Sequence, residues 1–310
     1  MKEPHLILKG FDTLVQERKP AALATVVRVI GSAYRRPGAK MLVAADGRTW
    51  GGVSGGCLEK DVIRRARNLI DTDRTALVRY DTTDEAGEFL TGCHGVIDIF
   101  IQPVSENNPG PIATIRQTII ERRPVELVTE AFSELLLPPQ SLVIFGGGPD
   151  TVPLVDMAKL LGWHVTVIRS AGMGPSFNAD VLAISTTENP LGEIDIEPDA
   201  AVVVMTHNYL RDEILLPLLA SRPLKYLGVL GPRRRTEALL NRIPGAIERV
   251  YAPIGLDIGA QTPETIALSI LAEIQAVLAG RPGPSIRDRD GPIYRRDQPA
   301  YNNPPCPTSA

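Results

Sequence analysis

At 310 residues, with 44% hydrophobic and 22% charged residues and a net charge of −3, the chain has the composition of a globular protein long enough for about two domains. That balance offers no basic face for nucleic acid, and no apolar run reaches the roughly 18 residues that a membrane span requires. Three cysteines are too few for a disulfide framework, and Met1-Lys2-Glu3-Pro4-His5 lacks the apolar core of a signal peptide, so a cytoplasmic location is expected.

Leu6, Ile7, Phe11, Leu14 and Val15 share one helical face, which predicts a helix over 5–18. Ala22 to Ile30 reads as a buried strand, and Met41 to Ala45 as another closed by the Asp46-Gly47 turn. Leu58, Val62, Ile63, Ala66, Leu69 and Ile70 recur at helical spacing, which predicts a helix from Cys57 to about Asp71. Thr75 to Tyr80 and Val96 to Gln102 are expected to complete a mixed sheet. Asn107, Asn108, Pro109 and Gly110 mark a boundary, followed by a helical stretch and a short strand at Val125 to Val128.

A second pattern opens at Ser141: strand Leu142–Phe145, a glycine turn, helix Pro153–Leu161 and strand His164–Ile168. Strands follow at Ala200–Met205 and Tyr226–Leu230, with helices at Asp212–Ala220 and Thr236–Asn241. Thr262-Pro263-Glu264 is a threonine cap with proline in the first position, starting a helix to about Leu278. Alternating strands and helices imply a parallel sheet. The expected fold class is α/β, with an N-terminal mixed α/β thiol domain over 1–104 and a linker region over 105–140. A Rossmann-like domain over 141–280 and a disordered tail over 281–310, rich in proline, glycine and arginine, follow.

Cys57 follows Ser54-Gly55-Gly56, a turn through which backbone can approach a ligand, and is placed in the first turn of its helix. Unpaired amides and the helix dipole favour a thiolate in that setting, and Arg35, Arg36 and Lys40 lie just upstream. The competing reading is a small buried hydrophobe. Glu59 is explained as an acid in a first helical turn, although it would oppose a thiolate. Cys93, in Gly92-Cys93-His94-Gly95, is a second candidate thiol or a packed residue. No Cys-x-x-Cys pair occurs, so no metal site is expected.

The Gly146-Gly147-Gly148 turn suits a phosphate or pyrophosphate at a helix start, with Gly146 and Gly148 as contacts. Its dinucleotide fingerprint is incomplete, because Thr151 holds the third glycine position and Arg169 ends the next strand where an acid would hold a ribose hydroxyl. His207 and Asn208 follow a strand, at the end of a parallel sheet where ligands gather; His207 equally suits a residue holding its own loop. Arg233, Arg234 and Arg235 are a solvated face or an anion clamp.

The Ser54-Gly55-Gly56-Cys57-Leu58-Glu59 stretch and the Gly31-Ser32-Ala33-Tyr34-Arg35-Arg36-Pro37-Gly38-Ala39-Lys40-Met41 stretch together resemble the XdhC/CoxI family. Thr91 to Ile99 resembles its second cysteine-glycine segment. Val143 to Asp150, Met205 to Tyr209, Leu230 to Arg235 and Pro253 to Gly259 are similar to its carboxy-terminal domain, in which Arg169 stands where members often carry aspartate. The resemblance implies a maturation factor for molybdenum hydroxylases of the xanthine or carbon monoxide dehydrogenase type, more an accessory factor than a turnover enzyme. It would bind molybdenum cofactor transiently, support its sulfuration with a cysteine desulfurase and deliver it to the apo-enzyme, as a monomer or homo-oligomer. Implied thiols are Cys57 and Cys93; implied cofactor contacts are Arg35, Ser54, Gly55, Gly56, Gly146, Gly148, His207 and Arg233, with a nucleotide as a further ligand of the glycine turn. Two alternatives stay open: an NAD(P)-dependent oxidoreductase, and a scaffold with inert thiols between desulfurase and target enzyme.

Overall fold

The computed structural model describes residues 2–72, 74–82, 95–172, 174–241 and 250–288. Two compact units divide at Pro138 and Pro139. The first contains α1 (Lys2–Gln16), β1 (Ala21–Gly31), β2 (Lys40–Ala44), β3 (Thr49–Gly51), α2 (Glu59–Leu69), β4 (Ala76–Asp81), β5 (Gly95–Val104), α3 (Pro111–Glu121), β6 (Val125–Val128) and β7 (Ser133–Leu136). Its main sheet has the order β3-β2-β1-β5-β4, and every pairing is antiparallel. The mixed sheet expected from the sequence is therefore corrected: apolar periodicity finds strands but carries no information on their direction.

α2 covers one face of that sheet, where Val62 and Ala66 pack with Val26, Met41 and Ile99. On the other, Ile7, Phe11 and Leu14 of α1 meet Leu23, Leu42, Ile112 and Ile115. Residues 105–140, expected as a linker, thus supply α3 and the β6–β7 hairpin, and Leu127 and Phe132 pack on Val27 and Phe100. Glu134 of β7 reaches Lys40 of β2, the two side chains being 6% and 5% exposed.

α2 is anchored by Asp61, which accepts hydrogen bonds from Tyr80 at 2.8 Å, from Arg65 at 2.5 Å and from Arg64. Burial pushes the Asp61 carboxyl up, but these donors outweigh it and hold it at about 2 against an ordinary 3.8. A depressed carboxylate adds stability that is present above its unfolded value and lost as pH falls through the folded one. Denaturant titrations are thus expected to show stability draining away between pH 3.8 and about 2, with Asp61→Asn flattening that part of the curve. An unchanged acid limb in the variant would show that Asp61 does not couple to folding.

The second unit contains β8 (Ser141–Phe145), α4 (Thr151–Leu160), β9 (His164–Ser170), β10 (Val181–Ser185), β11 (Ala201–Val204), α5 (Tyr209–Ala220), β12 (Tyr226–Val229), α6 (Arg233–Leu240), β13 (Val250–Tyr251) and α7 (Pro263–Leu278), then a 3-10 turn at Ile286–Asp288. Its sheet is parallel throughout, with the order β10-β9-β8-β11-β12-β13. Counted within the unit this is the 3-2-1-4-5-6 order of a Rossmann sheet, whose direction reverses between β8 and β11. β8 and β11 are buried on both faces, as a sheet covered by helices on each side requires. The Thr262 side chain caps α7 in a capping box with Thr265, as the sequence indicates. No described helix is long and apolar enough to cross a membrane. The tail beyond 288, expected to be disordered, lies outside the described residues.

Candidate functional site

In the first unit β1 ends at Gly31, and the chain loops through Ser32 to Gly38 before re-entering the sheet at Lys40. Mutual hydrogen bonds of 2.8 Å, Val26 N–H to Ala39 O and Gly38 N–H to Val26 O, close the base of this loop. Gly95, the first residue of β5, runs against it so closely that a β-carbon there would lie 2.3 Å from the Ser32 carbonyl oxygen. The loop presents Tyr34, 68% exposed, to a second loop at Ser54–Leu58, where a β-carbon on Gly55 would touch the tyrosine ring at 3.4 Å.

Val53 and Leu58 are fully buried at the two ends of that second loop, each contributing about 1.5–3 kcal/mol by burial. Between them, Ser54 organises the backbone. Its amide donates to Glu59 Oε1 at 2.8 Å and its hydroxyl donates to Glu59 Oε2. The same hydroxyl oxygen accepts from Gly56 N–H and Leu58 N–H, both at 3.1 Å, and from the Cys57 thiol at 3.5 Å. Gly56 has a φ of +114°, which a side chain rarely adopts, and the space beside it is open. Cys57 is exposed and unpaired. The hydrogen bonds form a line for a proton: thiol to Ser54 hydroxyl, hydroxyl to Glu59 carboxylate.

The structure corrects two expectations here. α2 begins at Glu59 with Leu58 as its N-cap, so Cys57 lies before the helix, and Ser54 rather than a helical turn positions the sulfur. Ser54 captures the Leu58 amide, a competition between side chain and helix that spacing alone does not reveal. The upstream cations are also engaged. Arg35 pairs with Glu3 of α1 and Lys40 with Glu134, while Glu3 further accepts from the Lys40 amide at 2.8 Å; Arg36 is not free either. Arg35 thus fastens its loop to α1, with its Nε buried and without a partner among the described residues. Cys93 lies outside the described residues.

In the second unit Gly146, Gly148 and His207 meet where β8 and β11 diverge. Gly146 donates from its amide to Ile168 O at 3.0 Å, and a β-carbon on it would come within 2.9 Å of the Met205 carbonyl oxygen and 3.2 Å of Thr151 Oγ1. Its lack of a side chain therefore serves the packing of β8, β11 and α4. At Gly148 the nearest atom is Asp150 Oδ1, 2.6 Å from such a β-carbon. The other Asp150 oxygen lies 2.7 Å from His207 Nε2, and His207 sits in left-handed backbone at φ 56°, a conformation that costs a non-glycine residue about 1–3 kcal/mol.

Asn208 caps α5 by accepting from the Arg211 amide at 3.1 Å, which accounts for it structurally. Of the three arginines opening α6, Arg233 and Arg234 are exposed, whereas Arg235 turns back to Asp212 at 2.5 Å. The triple is thus no single clamp. Sequence reading passed over Tyr34 and Asp150 as site residues; an aromatic in a loop and an acid before a helix carry no signal until the fold sets them against Gly55 and His207. Among the described residues no group of histidine, cysteine, aspartate and glutamate is arranged to hold a metal ion.

Known proteins match both units. A family model described as the XdhC and CoxI family covers residues 14–81, and one described as the XdhC Rossmann domain covers residues 142–274. The chain is 32% identical over 314 residues to a protein of Bacillus subtilis (strain 168) named as a probable subunit of xanthine dehydrogenase, across 85% of this chain and 94% of that one. It is 29% identical to the "Molybdenum cofactor insertion chaperone PaoD" of Escherichia coli (strain K12), covering 87% of each. A crystal structure titled as a xanthine dehydrogenase from Bacillus halodurans superposes with a TM-score of 0.78 at 28% identity, over 88% of this chain and 96% of that one. With both of its units matched in order and the Bacillus subtilis relative covered over 94% of its length, the chain belongs to the XdhC and CoxI family.

Proposed function

We propose that the protein is a maturation chaperone that receives molybdenum cofactor, supports its sulfuration with a cysteine desulfurase in a reducing cytoplasm, and inserts it into an apo-enzyme of the xanthine or carbon monoxide dehydrogenase type. The observation that carries the reading is the exposed Cys57 thiol, hydrogen-bonded to Ser54 and flanked by the open backbone of Gly56. Similarity to a protein named as a molybdenum cofactor insertion chaperone supports it. In this reading the Cys57 sulfur engages the cargo while its proton passes to Ser54 and the Ser54 proton to Glu59. Reversal of the two transfers releases the cargo to the acceptor enzyme. Cys93 is proposed as a second thiol, and the glycine turn of the second unit as a phosphate contact.

The test is retention of molybdenum cofactor, followed by absorbance and mass spectrometry, together with activation of the target apo-enzyme. Cys57→Ala is expected to lower retention by about 100-fold, and Glu59→Gln, which interrupts the proton line, by about 10-fold. The melting temperature of Cys57→Ala should stay at the wild-type value, because an exposed side chain contributes little packing. Wild-type maturation by Cys57→Ala would remove the thiol from the mechanism.

A further inference from the structure

Arg169 is the penultimate residue of β9, the second strand of the Rossmann order, and part of its guanidinium is buried without an acceptor among the described residues. A β-carbon on Gly147 would lie 2.9 Å from Arg169 Cβ and 3.4 Å from its Cδ, and one on Gly174 would lie 2.6 Å from its Nη1. The stem is thus laid along the glycine turn, with the head reaching Gly174 and standing 6.0 Å from the Phe177 ring centroid. Both Nε and Nη1 are buried and have no hydrogen-bond partner among the described residues. Donors on a charged group in that condition are costly relative to a satisfied state, so the arrangement calls for an acceptor that none of the described residues supplies.

A second group at the same turn is in the same condition. Thr151, the first residue of α4, is 0% exposed and its hydroxyl has no partner among the described residues. Asp150, whose carboxylate would oppose an anion over Gly148, has its other oxygen turned to His207 at 2.7 Å.

The place of Arg169 decides which anion. In sheets of this order, a residue at the carboxyl end of the second strand faces the ribose of a nucleotide whose phosphates lie over the first turn, and an acid there holds the ribose hydroxyls. Arg169 cannot accept from those hydroxyls, since its side chain only donates. A planar guanidinium matches a phosphate instead. We infer that the second unit binds a nucleotide carrying a phosphate monoester on its ribose, with Arg169 as the residue that selects it over the free diol. The inference stands apart from the cargo chemistry of Cys57.

Calorimetric titration of the full chain with 2′,5′-ADP, 5′-AMP and inorganic phosphate tests it. 2′,5′-ADP is expected to bind about tenfold or more tightly than either of the others, the worth of one charge-assisted contact. Arg169→Gln keeps much of the stem over Gly147 and should level 2′,5′-ADP with 5′-AMP, with the unliganded melting temperature confirming that the variant folds. Equal wild-type binding of the two nucleotides, binding of neither, or a preference that survives in Arg169→Gln overturns the inference. Phosphate binding as tightly as 2′,5′-ADP also overturns it, in favour of a bare anion site. None of these outcomes bears on retention of molybdenum cofactor by Cys57.

Discussion

Glu134→Ala is expected to cost the first unit about 3–5 kcal/mol, the usual penalty for removing one partner of a buried ion pair. Lys40 is 5% exposed and donates to Gly38 O at 3.0 Å as well as to Glu134. Burial pushes its ammonium below the ordinary lysine range, and Glu134 is the group that pulls it back. Without Glu134 the folded state must hold an uncompensated cation or release the proton. A lysine depressed in the folded state leaves the unfolded chain with more bound protons, so stability rises with pH between the folded and unfolded values. The deficit of Glu134→Ala should therefore shrink as denaturant titrations move toward alkaline pH. Lys40→Met combined with Glu134→Leu should recover most of the loss, because a buried pair replaced by apolar groups of similar size is often neutral. A deficit below about 1 kcal/mol, the size expected of an exposed pair, would mean that water reaches Lys40 and Glu134.

Asp212→Ala is expected to lower the stability of the second unit by about 3 kcal/mol, the low end for a broken buried pair because Arg235 keeps some contact with water. Asp212 is 1% exposed on its side chain against 22% for Arg235. Burial pushes its carboxyl up, while hydrogen bonds from Thr206 and Arg235 pull it down. Thr206 is joined to Asp212 through its hydroxyl and precedes His207, whose left-handed backbone persists only while its neighbours are held. The same variant should therefore loosen His207 from Asp150, seen as a shifted imidazole resonance in NMR spectra at fixed pH. Full stability with an unmoved His207 signal would assign the loop to its backbone contacts alone.

The strongest sequence signals were those whose physics is local. The cap at Thr262 and the apolar stripe after it located α7, since a side chain caps the amide three residues on wherever the helix is placed. The strand–glycine turn–helix–strand run from Leu142 to Ile168 identified the Rossmann-like half, because continuous apolar strands between helices have few other solutions. β10 and β13 carry no comparable signal: Val181–Ser185 buries only Ala183 and Ser185, and Val250–Tyr251 is two residues long, so both are strands by virtue of their neighbours. Within the expected linker region the helical stretch and the strand at Val125 to Val128 are legible in the sequence, whereas Ile112, Ile115, Leu127 and Phe132 find their core only in the assembled sheet.

The site divides in the same way. Sequence alone determined that Cys57 follows a serine-glycine turn near cations, that the second unit opens with three glycines, and that Arg169 replaces an acid. Only the tertiary structure decided that Arg35 and Lys40 are spent on Glu3 and Glu134, that Ser54 and Glu59 hold the thiol, and that Arg169 keeps two buried donors unmatched among the described residues. The reason is that a charge or a hydrogen-bonding group declares its chemistry in the sequence, while whether it is free to act depends on partners brought from distant strands and helices.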